Sequence, residues 1–408
     1  MTNLVLLLLA PVAVAQTLTI RAGNLIDPAT GAVRRNQVIV VKDGKIASIG
    51  AGAAGEVIDL SSEWVMPGLM DAHTHVSMDL GTGISLQEPQ LVEGSPIRAL
   101  RGLRNAQDML RAGFTTLRDV GNGANYAVID LKRAIDQGWF VGPTILTAGK
   151  IIAPFGGQAV TLPPEQGPLW SFEYDDADGP EEIRKAVRRN IFYGADVIKL
   201  VADNSDYYYS EEEIRAAVNE AHLAGRAVAV HVFHDAPARN VILGGADSVE
   251  HGFWLSDDVL KLMKEHGTAL VGTDMPHEVL VELQARHQLP DPNEMERLIT
   301  DRLRRAYALG VTLVFGTDVV VSLPGKTRGD IMLDYLLVWK AAGVPNTEVL
   351  KAMTTNAAAL LRVQKQRGAI VPGLAADIVG MPANPLADTG ALHGIDFVTK
   401  DGRVVRRP

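Results

Sequence analysis

Cysteine is absent from all 408 residues. That excludes disulfides, cysteine-bound lipid anchors and any cysteine-ligated metal, and it leaves His, Asp, Glu and Lys as the side chains able to hold an ion. Concentrated positive charge is missing as well. The chain carries 39 basic and 48 acidic residues, for a net charge of −9, and no basic run exceeds a doublet; nucleic acid is therefore excluded as an expected partner. No apolar stretch reaches the length of a membrane span. The longest at the start, Leu4 to Ala10, is too short for a bilayer but fits the core of a leader peptide, followed by Ala13-Val14-Ala15 as a cleavage site. Residues 1–15 are thus read as a signal peptide, although Met1-Thr2-Asn3 lacks the usual Lys or Arg. A working leader predicts a periplasmic or secreted protein whose mature chain is not inserted in a membrane; a buried strand in its place predicts a cytoplasmic one.

Apolar residues, by contrast, are plentiful at 47%, enough for one large α/β unit with a smaller part. From Thr17 to Leu60 the chain reads as short strands with turns, among them Gln37 to Val41 and a hairpin at Asp43-Gly44. After Met66 the texture changes to strands alternating with amphipathic helices. Eight strands are counted: Leu69–His75, Phe114–Asp119, Pro143–Ala148, Ala195–Ala202, Ala227–Val232, Ala246–Glu250, Ala269–Gly272 and Val311–Phe315. This predicts an α/β fold, a (β/α)₈ TIM barrel over residues 61–365. The two β-rich ends, residues 17–60 and 366–408, are each too small to bury a core alone and are expected to join in one small β-sandwich.

The chemistry-bearing residues fall at the ends of these strands. His73 and His75 close the first strand at i and i+2, which places both imidazoles on one side of an extended chain. Lys199 lies on the fourth, His231 ends the fifth, His251 follows Glu250 on the sixth, and Asp318 follows Gly316-Thr317 after the eighth. Singly, each has an ordinary reading: H-x-H is a weak metal signal, and an Asp after Gly-Thr is often a turn residue. Together they matter, because a barrel gathers the C-terminal ends of its strands at one mouth.

These pieces, with Met66-Pro67-Gly68, Val197-Ile198-Lys199, Ser248-Val249-Glu250-His251-Gly252, Gly316-Thr317-Asp318 and Pro372-Gly373-Leu374-Ala375-Ala376-Asp377, resemble the amidohydrolase superfamily from Thr17 onward. The likeness is to its binuclear-metal group, related to imidazolonepropionase-like proteins, Xaa-Pro dipeptidases and ochratoxinase-type amidases. The resemblance implies two zinc ions per chain, one held by His73, His75 and Asp318 and the other by His231 and His251. Lys199 would bridge them as N6-carboxylysine, since an ammonium has no lone pair to offer. It further implies that a water shared by the metals attacks an amide carbonyl while Asp318 carries the proton to the leaving amine, in a zinc-dependent hydrolase of dipeptides or N-acyl amino acids. A homo-oligomer, up to an octamer, is implied too.

Three other functions stay open on sequence: a lactonase or cyclic-amide hydrolase, a mononuclear deaminase, and an inactive binding or assembly relative. Lys199 and the occurrence of His234 where many deaminases carry Glu favour the amidase. Gln158, Tyr209, His234 and Arg328 are expected to meet the substrate, Gln158 standing where relatives often have a histidine and Tyr209 preceding a helix cap at Ser210. Arg118 and Asp119 are expected to form an ion pair bracing the mouth, and His222 and His266 to be ordinary helix histidines.

Overall fold

The computed structural model describes residues 17–50, 52–80, 92–121, 124–159, 163–203, 207–287 and 290–408. The leader segment read in residues 1–15 lies outside the described residues.

Thr17–Asp27 is buried along most of its length, and Glu56–Pro67 passes from an exposed start to a buried end, as inner strands of a covered sheet do. These two strands pair in parallel. They build a seven-stranded sheet with Ala32–Lys42 and Lys45–Gly50 on one side and three strands from the far end of the chain, Ile378–Met381, Phe397–Lys400 and Arg403–Arg406, on the other. The joint between the two chain ends is the antiparallel ladder from Pro67↔Ile378 to Trp64↔Met381. Lys45 also bridges Ala375, and Ile46 exchanges hydrogen bonds with Gly373 and Leu374. The sheet therefore curls back on itself over a core that includes Leu18, Ile20, Ile39, Ile378 and Phe397, a small β-sandwich domain made from both ends. It takes the chain as far as Pro67, so the barrel begins at Gly68 rather than at residue 61.

The rest is the (β/α)₈ TIM barrel. Its strands Leu69–Thr74, Phe114–Asp119 and Thr144–Thr147 form one parallel run; Val197–Val201, Ala227–Val232, Ser248–His251 and Ala269–Val271 form another. The third strand breaks and resumes as Ile151–Ala153, which pairs with the fourth strand through Leu200↔Ile152. A short strand expected to be loop, Tyr174–Asp176, pairs with Ile151–Ala153 in parallel. The strands are buried on both faces, as a barrel wrapped in helices demands.

The eighth strand is thinner than the sequence predicts. Residues 312–315 bond to the seventh strand only around Leu270 and to the first only through Ala72 N–H to Phe315 O, 2.9 Å. The strands are nonetheless tightly packed just beyond it: a Cβ on Gly316 would lie 2.4 Å from Val271 Cγ1 and 2.9 Å from His73 Cβ. Asp71 reinforces the seam, its carboxylate accepting from His73 N–H at 2.8 Å and from the Thr317 hydroxyl at 2.7 Å. Among the described residues, no helix is long and apolar enough to cross a membrane.

Because the seam has no room for a methyl group, Gly316→Ala should lower the thermal unfolding midpoint by about 2–6 °C. Calorimetry of the variant checks this, and an unchanged midpoint would mean that the seam is slack.

Candidate active site

Extended backbone on the first strand sends His73 and His75 into the mouth, and the hydrogen bonds behind them choose which nitrogen faces forward. His73 Nδ1 lies 2.6 Å from Glu250 Oε2, and His75 Nδ1 lies 2.6 Å from Gly121 O. Both partners are acceptors, so each Nδ1 carries a proton, and in the neutral imidazole Nε2 then presents a lone pair. Those Nε2 atoms stand 3.7 Å and 3.2 Å from Asp318 Oδ1.

Glu250 is completely buried and is shared. Besides His73 it accepts from Arg118 Nη2 at 2.7 Å and from the Ser248 hydroxyl, while Arg118 Nε donates to Ala72 O. The pair expected between Arg118 and Asp119 is thus replaced by one between Arg118 and Glu250. Neighbours along a strand point to opposite faces, so Arg118 turns into the barrel while Asp119 accepts from Val76 N–H at 2.8 Å. Burial raises the Asp119 carboxyl to about 6 and that of Asp71 to about 7.

His231 and His251 complete the cluster, with ring centroids 4.5 Å apart and His251 4.9 Å from His73. Burial holds His73, His231 and His251 well below the usual histidine range, so all three are neutral. Burial also opposes charge on His75, but the Asp318 and Asp119 carboxylates outweigh it and raise its pKa. Three residues at the mouth, His251 (φ 67°), Thr273 (φ 48°) and Asp318 (φ 55°), adopt the left-handed region that L side chains avoid. Such strain, about 1–3 kcal/mol each, gathers at functional sites.

Two observations fit the cluster to metal ions. Ligand atoms of His73, His251 and Asp318 all lie within 4.8 Å of one another. Lys199, only 2% exposed, has no hydrogen-bond partner for its Nζ among the described residues, a costly arrangement for a bare ammonium. Burial lowers its pKa to about 8.

A cavity of about 360 Å³ opens above the cluster. Gln158 lines it, with Nε2 3.3 Å from His231 Nε2 and Oε1 accepting from the Tyr174 hydroxyl at 3.2 Å. The other three residues expected to meet substrate are elsewhere. Tyr209 is sealed in the wall, its hydroxyl donating to Ala177 O at 2.7 Å, just before the Ser210–Glu213 capping box. The Arg328 guanidinium is buried beneath the mouth, donating to Val319 O and Met78 O. His234 lies outside the cavity lining, bonded to Asp203 and stacked on Trp254 at 5.2 Å. His222 pairs with Asp247, and His266 ends its helix before Gly267.

Sequence reasoning missed Tyr174, Arg98, Arg101, Phe233, Phe253 and Trp254, all of which line the cavity. Phe233 and Phe253 each stand two positions after a mouth histidine, but both lie past the ends of their strands, and left-handed backbone at His251 and Gly252 breaks the two-residue period before Phe253.

A (β/α)₈ barrel whose mouth gathers four histidines, an aspartate and a buried lysine defines a barrel hydrolase. The amidohydrolase family model matches residues 64–405, and the chain belongs to that family. Ochratoxinase of Aspergillus niger is 28% identical over 451 residues, covering 98% of this chain and 89% of its own. The crystal structure of an Xaa-Pro dipeptidase with bound methionine in the active site matches with a TM-score of 0.83 at 30% identity, over 96% of this chain and 100% of that one. A prolidase complexed with N-methylphosphonate-L-proline matches with a TM-score of 0.84 at 27% identity, with the same coverage of 96% and 100%. The protein is a hydrolase of amide or peptide bonds.

Glu250→Gln strands the Arg118 charge in the barrel, and the expected cost is about 3–5 kcal/mol. Denaturant unfolding measures it; the double variant Arg118→Met/Glu250→Gln should recover part of the loss, whereas additive losses would show that the two groups act separately.

Proposed function

We propose that the protein cleaves a dipeptide or an N-acyl amino acid at its amide bond, with two zinc ions as cofactors. His73, His75 and Asp318 would hold one ion, His231 and His251 the other, and Lys199, carboxylated on Nζ, would reach both. The observation that carries this reading is the buried Lys199 Nζ, without a hydrogen-bond partner among the described residues, beside the neutral His73, His231 and His251. With its pKa lowered to about 8, a sizeable fraction of the amine is neutral near pH 7.5. That free amine adds to carbon dioxide, forming an N–C bond and releasing a proton, and the resulting carbamate is an anionic group with two oxygens. A bound pair of divalent ions supplies a Lewis acid for the scissile carbonyl and lowers the pKa of the attacking water.

The chain's own groups then have defined tasks. Glu250 and Gly121 keep the Nδ1 protons on His73 and His75, so that the Nε2 lone pairs face the mouth. The Asp318 carboxylate takes the proton from the attacking water and returns it to the leaving amine. Tyr174 fixes Gln158 by its Oε1, so the amide turns its N–H groups inward. The relatives support the substrate class by their names: an ochratoxinase, an Xaa-Pro dipeptidase and a prolidase.

The purified protein should contain about two zinc ions per chain, and Lys199→Ala should contain fewer and be inactive, with partial recovery in added formate or acetate. Metal analysis and turnover check this; one ion or none in the parent, or full activity in the variant, would reject the binuclear site. Asp318→Asn should fold normally and lose turnover by about 10²–10⁴-fold if it carries the proton; parent-like rates would move that task to another group.

A further inference from the structure

The walls of the cavity are chemically unlike. On one side Phe233 and the pair Phe253-Trp254 follow the fifth- and sixth-strand histidines, with ring centroids 5.3 Å apart for Phe233–Phe253 and 5.4 Å for Phe233–Trp254. Met275, Leu280 and Leu283, following the seventh strand, continue the same apolar surface. Trp254 is held from outside by His234, whose ring lies 4° from parallel to it. Arg98 and Arg101, one turn apart on the helix Ser95–Arg111, also line the cavity, as do the acidic Asp79 and Glu173. That helix follows the first strand, and in a closed eight-stranded barrel the first strand lies across the mouth from the fifth. Lys199, the remaining basic residue of the lining, sits below among the histidines.

Arg101 pairs with Glu93 through Nη2. A guanidinium carries five N–H donors in a planar fork, so one edge engaged by Glu93 leaves another for a second carboxylate. Apart from the Trp254 indole N–H, the aromatic surface offers no polar group, and it is large enough for a ring.

We infer that the substrate is polarised across its scissile amide: a bulky apolar acyl half rests on Phe233, Phe253 and Trp254, and the carboxylate of the amine half is held at Arg101 beside Arg98. This rests on the proposed cleavage of a dipeptide or N-acyl amino acid and goes beyond it in assigning each half to a wall. A cavity of about 360 Å³, near the low end of the roughly 300–1,000 Å³ of small-molecule sites, suits one ring and one amino acid rather than a longer peptide. Arg101 and Trp254 are then specificity residues, and the histidine cluster between them is common to every substrate.

Four compounds test the inference on the zinc-loaded protein: phenylacetyl-alanine, acetyl-alanine and the carboxamide of each. The unmodified enzyme should prefer phenylacetyl-alanine in kcat/KM by about tenfold or more over either singly altered compound. Arg101→Gln should cost about 10–100-fold on the two carboxylates, chiefly in KM, and leave the carboxamides unchanged. Trp254→Ala should cost about tenfold on the phenylacetyl pair and leave the acetyl pair unchanged. Equal kcat/KM for all four with the unmodified enzyme overturns the assignment of walls while amide hydrolysis stands, and no variant is needed to see it. Losses in either variant that ignore the altered group overturn that residue's part. Hydrolysis of none of the four rejects the dipeptide and N-acyl reading itself, and the inference with it.

Discussion

Much of the mouth depends on one buried carboxylate. Glu250 joins three strands: its own, the second through Arg118 and the first through His73, while Arg118 reaches on to Ala72 O. Charge explains why the arrangement is sound. A lone carboxylate or guanidinium at this depth would be strongly destabilising, but together they are neutral and hydrogen-bonded. The residual benefit goes to His73, whose ring is pinned by a proton shared with Glu250, so that its other nitrogen can only face the cavity.

What the first and eighth strands do for each other is subtler. Gly316 has no room for a side chain where the first strand passes, and two residues on Asp318 N–H donates to His73 O at 2.7 Å. The backbone hydrogen bonds forgone along residues 312–315 are offset in part by Asp71, which clasps Thr317 from the first strand. Left-handed backbone at Asp318, His251 and Thr273 belongs to the same compromise, in which local strain aims side chains inward.

The sequence made the ends of strands legible, and with them His73, His75, Lys199, His231, His251 and Asp318, because a two-residue period on a buried strand and the chirality of a barrel suffice to place them at one mouth. It was silent where the partner is remote. Arg118 stands next to Asp119 in the chain yet pairs with Glu250, 132 residues away, and nothing in the local pattern encodes that register. Tyr209 misled for a related reason: its neighbour Ser210 is a helix cap, as read, but the ring's partner is Ala177 O, 32 residues away. Tyr174 hid in a Gly- and Pro-rich stretch whose three-residue strand exists only because Ile151–Ala153 offers it an edge.

Burial also decides which carboxylate can move a proton. Glu250 and Asp71 lie close to the histidines, but both are fully buried and saturated with hydrogen bonds, so neither can exchange with a reacting group. Asp79 lines the same cavity but accepts from Ser322 and Arg104 at its rim. Asp318 alone among these four combines 18% side-chain exposure with an Oδ1 3.2 Å from His75 Nε2. A group that must accept a proton on one step and release it on the next needs access to the reacting atoms. The amide of Gln158 cannot share the task, since it does not titrate, and its Oε1 is already engaged by Tyr174. On the proposed reading, proton transfer would fall to Asp318, on the first-strand side of the cluster, and substrate orientation to Gln158, beside His231.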